Sequence, residues 1–525
     1  MQLSNHDLSQ LDEDELLNLP EEVLRRLSIR LLNDLKEARE RLSQNSRNSS
    51  RPPSSEAPWD KSPIEQETNE APTEQEKEVE PEQPSKNSDE VDSNAPPEPQ
   101  KEDKSSTKPL RKPGKQPGAQ GFGRQQKLEI THYQSHFPEI CACCQQPLNS
   151  GTAKAYAAFE TLDIQWADPS KPGIQLTNSQ HALYEITCQC GHTTRKEVHR
   201  STDAQLPDIN CSEWRLVGPG LAALIICLTY RMRLSRERTQ EFLYDWLGLK
   251  LSVGTIHNTL HESGAAAMPV ENELIQEIVN SDLLHVDETS WMELTTFLWL
   301  WVFSTDNVTA YWIATRSAEL IENLLGKDYV GWLMSDGYSV YRKYPNRLRC
   351  WAHLLRKAEG LKESLDKEAQ LFGVQTLDLL GTLISSVRAA RIRAPDTPLS
   401  ESYRQQLMNY QQLCVQMKLH GHKKTAALAT EMLNDWEAIF RVLDYPHYPL
   451  TNNEAERALR HWVILRGICY GTRTEDGSRV FAILISVIET CRKRNQSPWI
   501  YLATVIECQR SGKAVPMLPN IQVSE

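Results

Sequence analysis

Residues 283–315 read LLHVDETSWMELTTFLWLWVFSTDNVTAYWIAT. Three short runs, LLHVDE at 283–288, TFLWLWVF at 296–303 and TAYWIAT at 309–315, are apolar or alternating and are separated by polar breaks. Runs of this length, rich in aromatic and β-branched residues, predict strands, and the brief breaks predict an antiparallel meander. A helix over 317–325 and a fourth strand over 330–335 follow, the strand ending at Asp336 directly before Gly337.

Strand, strand, strand, helix, strand is the order of a ribonuclease H-like core, and it sets two carboxylates on neighbouring strands. On a period of two, Asp287 shares a face with Leu283 and His285, while Glu288 points the other way. Carboxylates gathered at strand ends are expensive to bury without a positive partner, and hard divalent cations prefer such oxygens. Either Asp alone reads equally well as a loop cap; the pair in this strand order points to a cation site. A third acid comes from PLTNNEAERALR at 449–460. Thr451 and Glu454 have capping-box spacing, with Leu450 and Ala455 as the staple, which leaves Glu456 free to face the site. Its plainer role is a pair with Arg460 at i+4.

The formal charge of −12 argues against a nucleic-acid partner only if it is spread evenly. It is not: residues 56–103 hold sixteen Asp and Glu against four Lys, which accounts for all of it. A basic groove elsewhere is therefore allowed. No apolar run is long enough to span a bilayer, the longest, 297–303, being strand-sized. The acidic start, with Asp7, Asp12, Glu13 and Asp14, lacks signal-peptide character, and a cytoplasmic address is expected. Twelve cysteines then read as metal ligands or buried thiols rather than disulfides.

Toward the N-terminus, Val23, Leu24, Leu27, Leu31, Leu35, Ala38 and Leu42 recur at helical spacing, predicting an amphipathic helix able to pair in a short coiled coil or to dock on its own chain. Residues 46–107, rich in Ser, Pro, Glu and Gln, predict a disordered linker. KPGKQPGAQGFGR then opens a cationic arm, with Lys112, Lys115 and Arg124 suited to the phosphate backbone. Cys141 with Cys144, and Cys188 with Cys190, supply four thiolates for a structural Zn²⁺; the second pair is one residue short of C-x-x-C, so Cys143 and His192 stand as alternative ligands. Residues 221–232, 235–247 and a third segment capped by Ser252 predict helices, a helix-turn-helix candidate with Thr255, His257 and Asn258 on its last member.

Taken in order, KPGKQPGAQGFGR, the cysteine cluster, VDETSW, LMSDGYSVY, RCWAHLLRK and NNEAERALR resemble the insertion sequence 66 family of transposases, within the DDE class. The resemblance runs from the N-terminal helix to about Pro498. It implies that Asp287, Asp336 and Glu456 are the catalytic acids, holding two Mg²⁺ ions, with Mn²⁺ a substitute, for hydrolysis at transposon ends and strand transfer into target DNA. Two departures stand out: CQC in place of the second C-x-x-C, and Thr451 where relatives often carry Asp.

The expected architecture is multi-domain α/β. It comprises an N-terminal helix or coiled coil (1–45), an acidic linker (46–107), a basic arm and zinc segment (108–200) and a helical DNA-binding module (210–265). A ribonuclease H-like core follows (280–355 and 446–500), interrupted by a helical insertion (356–445) and followed by a tail (501–525). Arg356, Lys357, Arg457 and Arg460 are the expected DNA contacts near the acids, together with Arg347, Arg349, His353 and residues 492–494. Double-stranded DNA, a second copy of the chain and accessory proteins of the same element are the expected partners. The rival expectation is a non-catalytic DNA-binding protein descended from a transposase.

Overall fold

The computed structural model describes residues 20–42 and 126–521, apart from 167, 169, 203–209, 213–214 and 327–328. The expected linker (46–107) and the arm residues Lys112, Lys115 and Arg124 lie outside the described residues. Helix α1 (Glu21–Leu42) is present, and Val23, Leu24, Leu31 and Leu35 along its apolar stripe are exposed.

Strands β1 (His132–His136), β2 (Lys154–Gln165), β3 (Gln175–Thr187) and β4 (Thr193–Arg195) form a sheet in which β3 runs parallel to β1 and antiparallel to β2 and β4. Two short strands, β5 (Arg200–Thr202) and β6 (Asn210–Ser212), pair antiparallel. Asp163 on β2 joins the first sheet to helix α2 (Pro219–Ile226): its Oδ1 accepts from the Leu221 amide at 2.8 Å, a carboxylate at a helix N-terminus that has no other side-chain cap. Gly218 is required there, since a Cβ would stand 2.3 Å from the Asp163 carboxyl carbon.

A π-helical turn, Cys227–Arg231, ends α2. Helices α3 (Arg236–Leu247) and α4 (Val253–Ala267) follow, capped by Ser235 and Ser252 through their Oγ atoms, with Gly248 in the left-handed conformation closing α3. Helix α4 is buried from Thr259 to Ala267 except for half-buried His261, and its exposed residues are Gly254 and Asn258 near its start. Helix α5 (Glu271–Val279) leads into the main sheet.

That sheet has five strands in the order β11 (Arg347–Arg349), β10 (Trp332–Ser335), β7 (Leu283–Glu293), β8 (Thr296–Ser304), β9 (Thr309–Ala314). The meander β7–β8–β9 is antiparallel, and β10 and β11 are parallel to β7. Helix α6 (Ala318–Leu325) makes the crossover between β9 and β10. Period-two alternation sorts the side chains cleanly. Leu284, Val286, Trp301, Phe303 and Ala310 enter the core shared with α2, α4 and α5, whereas Trp291, Leu300, Val302 and Tyr311 enter the opposite one. Because one hydrophobic cluster runs through residues 221–278 and the sheet, the helical module at 210–265 has no core of its own.

After β11 the chain is helical: α7 (Trp351–Lys362), α8 (Lys367–Ile392), α9 (Leu399–Ser402), α10 (Arg404–Met417), α11 (Lys423–Asn434) and α12 (Trp436–Phe440). These bury a core of their own that continues onto Met334 and Leu348 at the sheet's parallel edge. Helix α13 (Asn453–Cys469) covers the second face of the sheet through Ala455, Leu459, Trp462 and Leu465. Helix α14 (Glu475–Lys493) and helix α15 (Pro498–Arg510) complete the first core. The expected tail at 501–525 is thus a helix over its first part: Leu502, Val505 and Ile506 are fully buried, and Arg510 makes a bidentate pair with Glu262 at 2.9 and 3.0 Å.

His461 locks α13 to the end of α2. Its Nδ1 lies 2.9 Å from Arg233 Nη2, a donor, and its Nε2 lies 3.1 Å from the Tyr230 carbonyl, an acceptor, so the neutral ring protonated on Nε2 satisfies both. Burial, with the charges of Arg231 and Arg233, pushes its pKa down to about 4. A histidine depressed in the folded state is protonated first in the unfolded chain, so the stability it contributes is complete above about pH 6.5 and is lost as pH falls toward 4. His461→Gln retains one donor and one acceptor without titrating. Its melting temperature should therefore fall less than that of wild type between pH 7 and pH 5, as measured by differential scanning fluorimetry; parallel curves would refute the neutral-ring assignment.

Candidate active site

Strand β7 outruns its parallel neighbour. Its last pairing with β10 joins His285 to Met334, and the strand continues to Glu293 against β8, with a single bridge from Glu293 to Thr472 on its other side. Asp287 therefore lies in mid-strand and not near a strand end as the apolar run suggested; the cleft opens because β10 stops. Asp336 is the first residue past β10, and its Oδ1 accepts from the Tyr338 amide at 2.8 Å. Gly337 between them is a close-approach position: a Cβ would stand 2.7 Å from Arg349 Nη2.

Glu456 reaches the same cleft from α13, and Asn452, which is 1% exposed, sets that helix in place. Asn452 Oδ1 lies 2.9 Å from His285 Nδ1, its Nδ2 donates to the Val286 carbonyl at 2.8 Å, and its amide donates to Cys350 Sγ at 3.2 Å. Its own carbonyl accepts from the Glu456 amide at 3.1 Å. The capping box expected from Thr451 and Glu454 does not form. Asn452 is the cap residue, without a side-chain cap bond, and Glu454 pairs instead with Lys493 at 2.7 Å. A cation from α14 competes better for that carboxylate than a backbone amide does.

Asp287, Asp336 and Glu456 line one cavity of about 800 Å³. Removal from water and the neighbouring carboxylates of Glu288, Asp336 and Glu456 push the Asp287 pKa well above its usual value. Glu456 Oε1 is buried without a hydrogen bond, 3.5 Å from Arg356 Nη2 and 3.8 Å from His353 Nδ1, so its expected alternative partner Arg460 is not what holds it. Burial and the charges of Arg356, Lys357 and Arg349 hold His353 neutral, with a pKa pushed down to about 3. An acceptor left open and carboxylates crowded against their own repulsion are a donor set that fits divalent cations. Among the described residues the ligand atoms of the three acids do not all lie within 4.8 Å of one another, whereas Glu456 does group in this way with Cys350 and His353.

Arg356, Lys357, Arg457 and Arg460 all border this cavity. Arg460 is exposed, Arg457 is paired with Glu454 at 3.4 Å, and Lys357 with Glu431 at 2.6 Å. Arg347 and Arg349, expected near DNA, are instead structural. Asp435, 1% exposed, receives Arg342 Nε at 3.0 Å and Arg347 Nη2 at 3.2 Å, and it pairs with Arg349 Nε at 3.3 Å; Arg349 also bonds Glu431. Arg494 is likewise taken up, by Glu277 at 2.6 Å. Periodicity could not reveal these partners, because the acids lie some eighty or more residues away.

At the far end of the chain's first sheet, Cys141, Cys144, Cys188 and Cys190 bring four sulfurs within 4.8 Å of one another. Cys141 and Cys190 are 3.7 Å apart and Cys144 and Cys188 are 3.5 Å apart. Tetrahedral Zn–S bonds of ~2.3 Å require sulfur separations of about 3.8 Å, so the site fits Zn²⁺. Cys143 and His192, the alternative ligands, are exposed and outside this grouping. The amides of Cys144 and Cys143 help pull the Cys141 thiol down to about 6, while the crowding of neighbouring thiols pushes those of Cys144 and Cys190 up, Cys190 to about 12.

Residues 215–480 match the model of the family described as Transposase IS66 family, which takes in both aspartates, Glu456 and the helical insertion. The chain belongs to the IS66 family of transposases. Residues 4–83 of this IS66-family chain match a second family, of unknown function (DUF6444). It is 24% identical over 306 residues to the uncharacterized protein y4qI of Sinorhizobium fredii, covering 51% of this chain and 55% of that one. Similarity to y4hP of the same organism is 24% over 333 residues, covering 55% and 59%. The chain thus spans little more than half the length of these curated relatives.

Three residues that border the cavity were not proposed for it from the sequence. Glu288 does point away from Asp287, toward Tyr341, whose hydroxyl donates to it at 2.8 Å, yet it borders the same cavity. Arg316 follows β9, and Arg466 on α13 donates to Thr289 Oγ1 at 2.9 Å. Neither arginine sits in a recognisable motif; only the pairing register brings them to the acids.

Because Asp287 is protonated more readily in the folded state than in the unfolded one, its charge destabilises the fold at neutral pH, and the penalty is relieved as pH falls. In metal-free buffer Asp287→Asn should melt above wild type at pH 8, with a smaller gain at pH 5. A variant less stable than wild type at both values would contradict this picture of the cleft.

Proposed function

We propose that this chain cuts and rejoins DNA with Asp287, Asp336 and Glu456, which hold two Mg²⁺ ions, Mn²⁺ serving in their place. The observation that carries the reading is the meeting in one basic-rimmed cavity of acids from β7, from the end of β10 and from a helix 120 residues further on. The strand order, with an antiparallel meander and two parallel strands on one side, supports a ribonuclease H-like core interrupted by the helices of 351–443. When bound, the divalent ions supply Lewis-acid stabilisation of the attacking and leaving oxygens of the phosphodiester.

The chain's own residues do the rest. Asp287, between the other two acids in the pattern of their charges, is suited to both ions, and Asp336 and Glu456 each to one. Arg356 stands beside Glu456, and exposed Arg457 and Arg460 lie along the same helix, where guanidiniums would position the duplex by its phosphates without reading sequence. Sequence reading would fall to the zinc-bearing sheet and the exposed start of α4. Transposon ends and target DNA are the substrates of this scheme. Two ends call for at least two copies, and the exposed apolar stripe of α1 supports pairing between them.

Purified protein incubated with end-containing DNA and Mg²⁺ should nick it. Asp287→Asn and Glu456→Gln should each reduce the rate by roughly a thousandfold or more, as expected when a metal-holding carboxylate is lost. Nicking at equal rates by all three proteins would eliminate the catalytic assignment, and duplex binding without nicking by wild type would favour the non-catalytic DNA-binding alternative.

Zinc is expected at one ion per chain, measured by plasma mass spectrometry after dialysis. Cys144→Ser should lose it and lower the melting temperature, while Cys143→Ser should keep both; loss from Cys143→Ser would redraw the ligand set.

A further inference from the structure

Arg316 is held more rigidly than a neutralising cation needs to be. Its guanidinium carbon lies 4.3 Å from the centre of the Trp299 ring and 4.2 Å from that of Tyr338, so the group is stacked between two aromatic faces. Nε and Nη2 both donate to Glu288 Oε1, at 3.0 and 2.7 Å, while Glu288 Oε2 is taken by the Tyr341 hydroxyl. The Tyr338 hydroxyl in turn donates to the Arg316 carbonyl at 2.8 Å, and the Tyr338 amide donates to Asp336.

One edge of the fork, Nε with Nη2, is thereby used, and among the described residues Nη1 makes no hydrogen bond. The side chain is 36% exposed, against 1% for Glu288, and it borders the cavity that holds Asp287 and Asp336. Neutralising one buried carboxylate requires a positive charge only. A lysine would supply that, but would lack the planar fork that can bond a carboxylate on one edge and a phosphate on the other. Fixing the plane before any ligand arrives removes the ordering cost that a free arginine side chain would carry on binding.

We propose that Arg316 is a phosphate-contacting residue of the cavity, with Nη1 directed at a backbone phosphate of the DNA seated beside Asp336, and with Trp299, Tyr338 and Glu288 acting as its holder. This rests on the reading of the cavity as the DNA-cleaving site. Glu288 on this view positions Arg316 and does not hold metal.

The test is the salt dependence of affinity for a fluorescein-labelled duplex carrying the element's terminal repeat, followed by anisotropy without divalent metal. Arg316→Gln should weaken binding and reduce the slope of log K against log salt by about one, the signature of one lost phosphate contact. Since Arg316→Gln leaves Glu288 unpaired and can fail to fold, the paired variant Glu288→Gln/Arg316→Gln, which removes both charges, is the deciding protein. It should show the same reduced slope, whereas Glu288→Gln alone, which loosens the holder but keeps the guanidinium, should weaken binding with a smaller change of slope. A wild-type slope in the paired variant overturns the proposal, because a purely neutralising arginine is dispensable once its carboxylate is gone. Nicking assays on the same preparations separate the two readings. Mg²⁺-dependent nicking by wild type with an unchanged slope in the paired variant sinks Arg316 alone. A reduced slope with no wild-type nicking upholds the contact and sinks the chemistry.

Discussion

The position of Glu456 depends on one buried amide. Asn452 bonds His285 and the Val286 carbonyl through its side chain and Cys350 through its backbone, so a single residue ties the start of α13 to β7 and to the end of β11. Each such bond contributes only about 1 kcal/mol net, but breaking one inside the protein strands a desolvated partner at a cost of ~1–3 kcal/mol. The alternative placements of the helix are therefore disfavoured more strongly than the bonds themselves suggest. Since Asn452 is one turn before Glu456, the lock fixes which face of α13 meets the cleft.

Charge organises the opposite wall. Glu431 and Asp435 lie at the junction of α11 and α12 and gather Arg342, Arg347, Arg349 and Lys357 from the segment that follows Asp336. Asp435 and Arg349 are almost wholly buried, so neither could be left alone without a penalty of several kcal/mol. The helical insertion is thus pinned beside the acids and forms one side of the cavity, through Thr430, Glu431 and Asn434. Residues that look in sequence like a basic DNA-binding run are largely consumed in this clamp. Among the described residues that border the opening, exposed Arg457 and Arg460 and the free edge of Arg316 remain.

What could be read in the sequence follows from the range of the interaction behind each feature. Strands β8 and β9 and the caps at Ser235 and Ser252 are set by local alternation and capping, and they stand where the residues put them. The meeting of the four cysteines was legible because they lie in two short segments of sequence. Features decided by distant partners were not: Glu454 found Lys493 instead of a backbone amide, and Arg347 found Asp435. The length of β7 was also underestimated, because TSWME after Asp287 lacks the apolar run of a buried strand. It pairs with β8 along an edge where only Trp291 is buried. Residues 501–510 looked like a tail because their helix is closed by a salt bridge to Glu262, 248 positions earlier.

The same sheet explains why destabilising groups persist at its centre. Its faces are filled by separate hydrophobic cores: β7 lies between the first core and that under α13, and β10 between the first core and that of the helical insertion, which together fix the backbone on either side of the cleft. A carboxylate such as Asp287, whose ionised form is opposed by burial and by Glu288, Asp336 and Glu456, can survive only where the surrounding packing over-determines the backbone. Repulsion among these acids is therefore free energy stored by the cores and available for release on cation binding. A neutral His353 beside Glu456 adds no compensating charge of its own, so within the cleft the relief must come from Arg356, from Arg316 acting through Glu288, and from whatever cations the open carboxylate oxygens take up. On the proposed reading of these acids as cation ligands, the affinity of the cleft for cations and its cost to the fold would have one origin in their mutual repulsion.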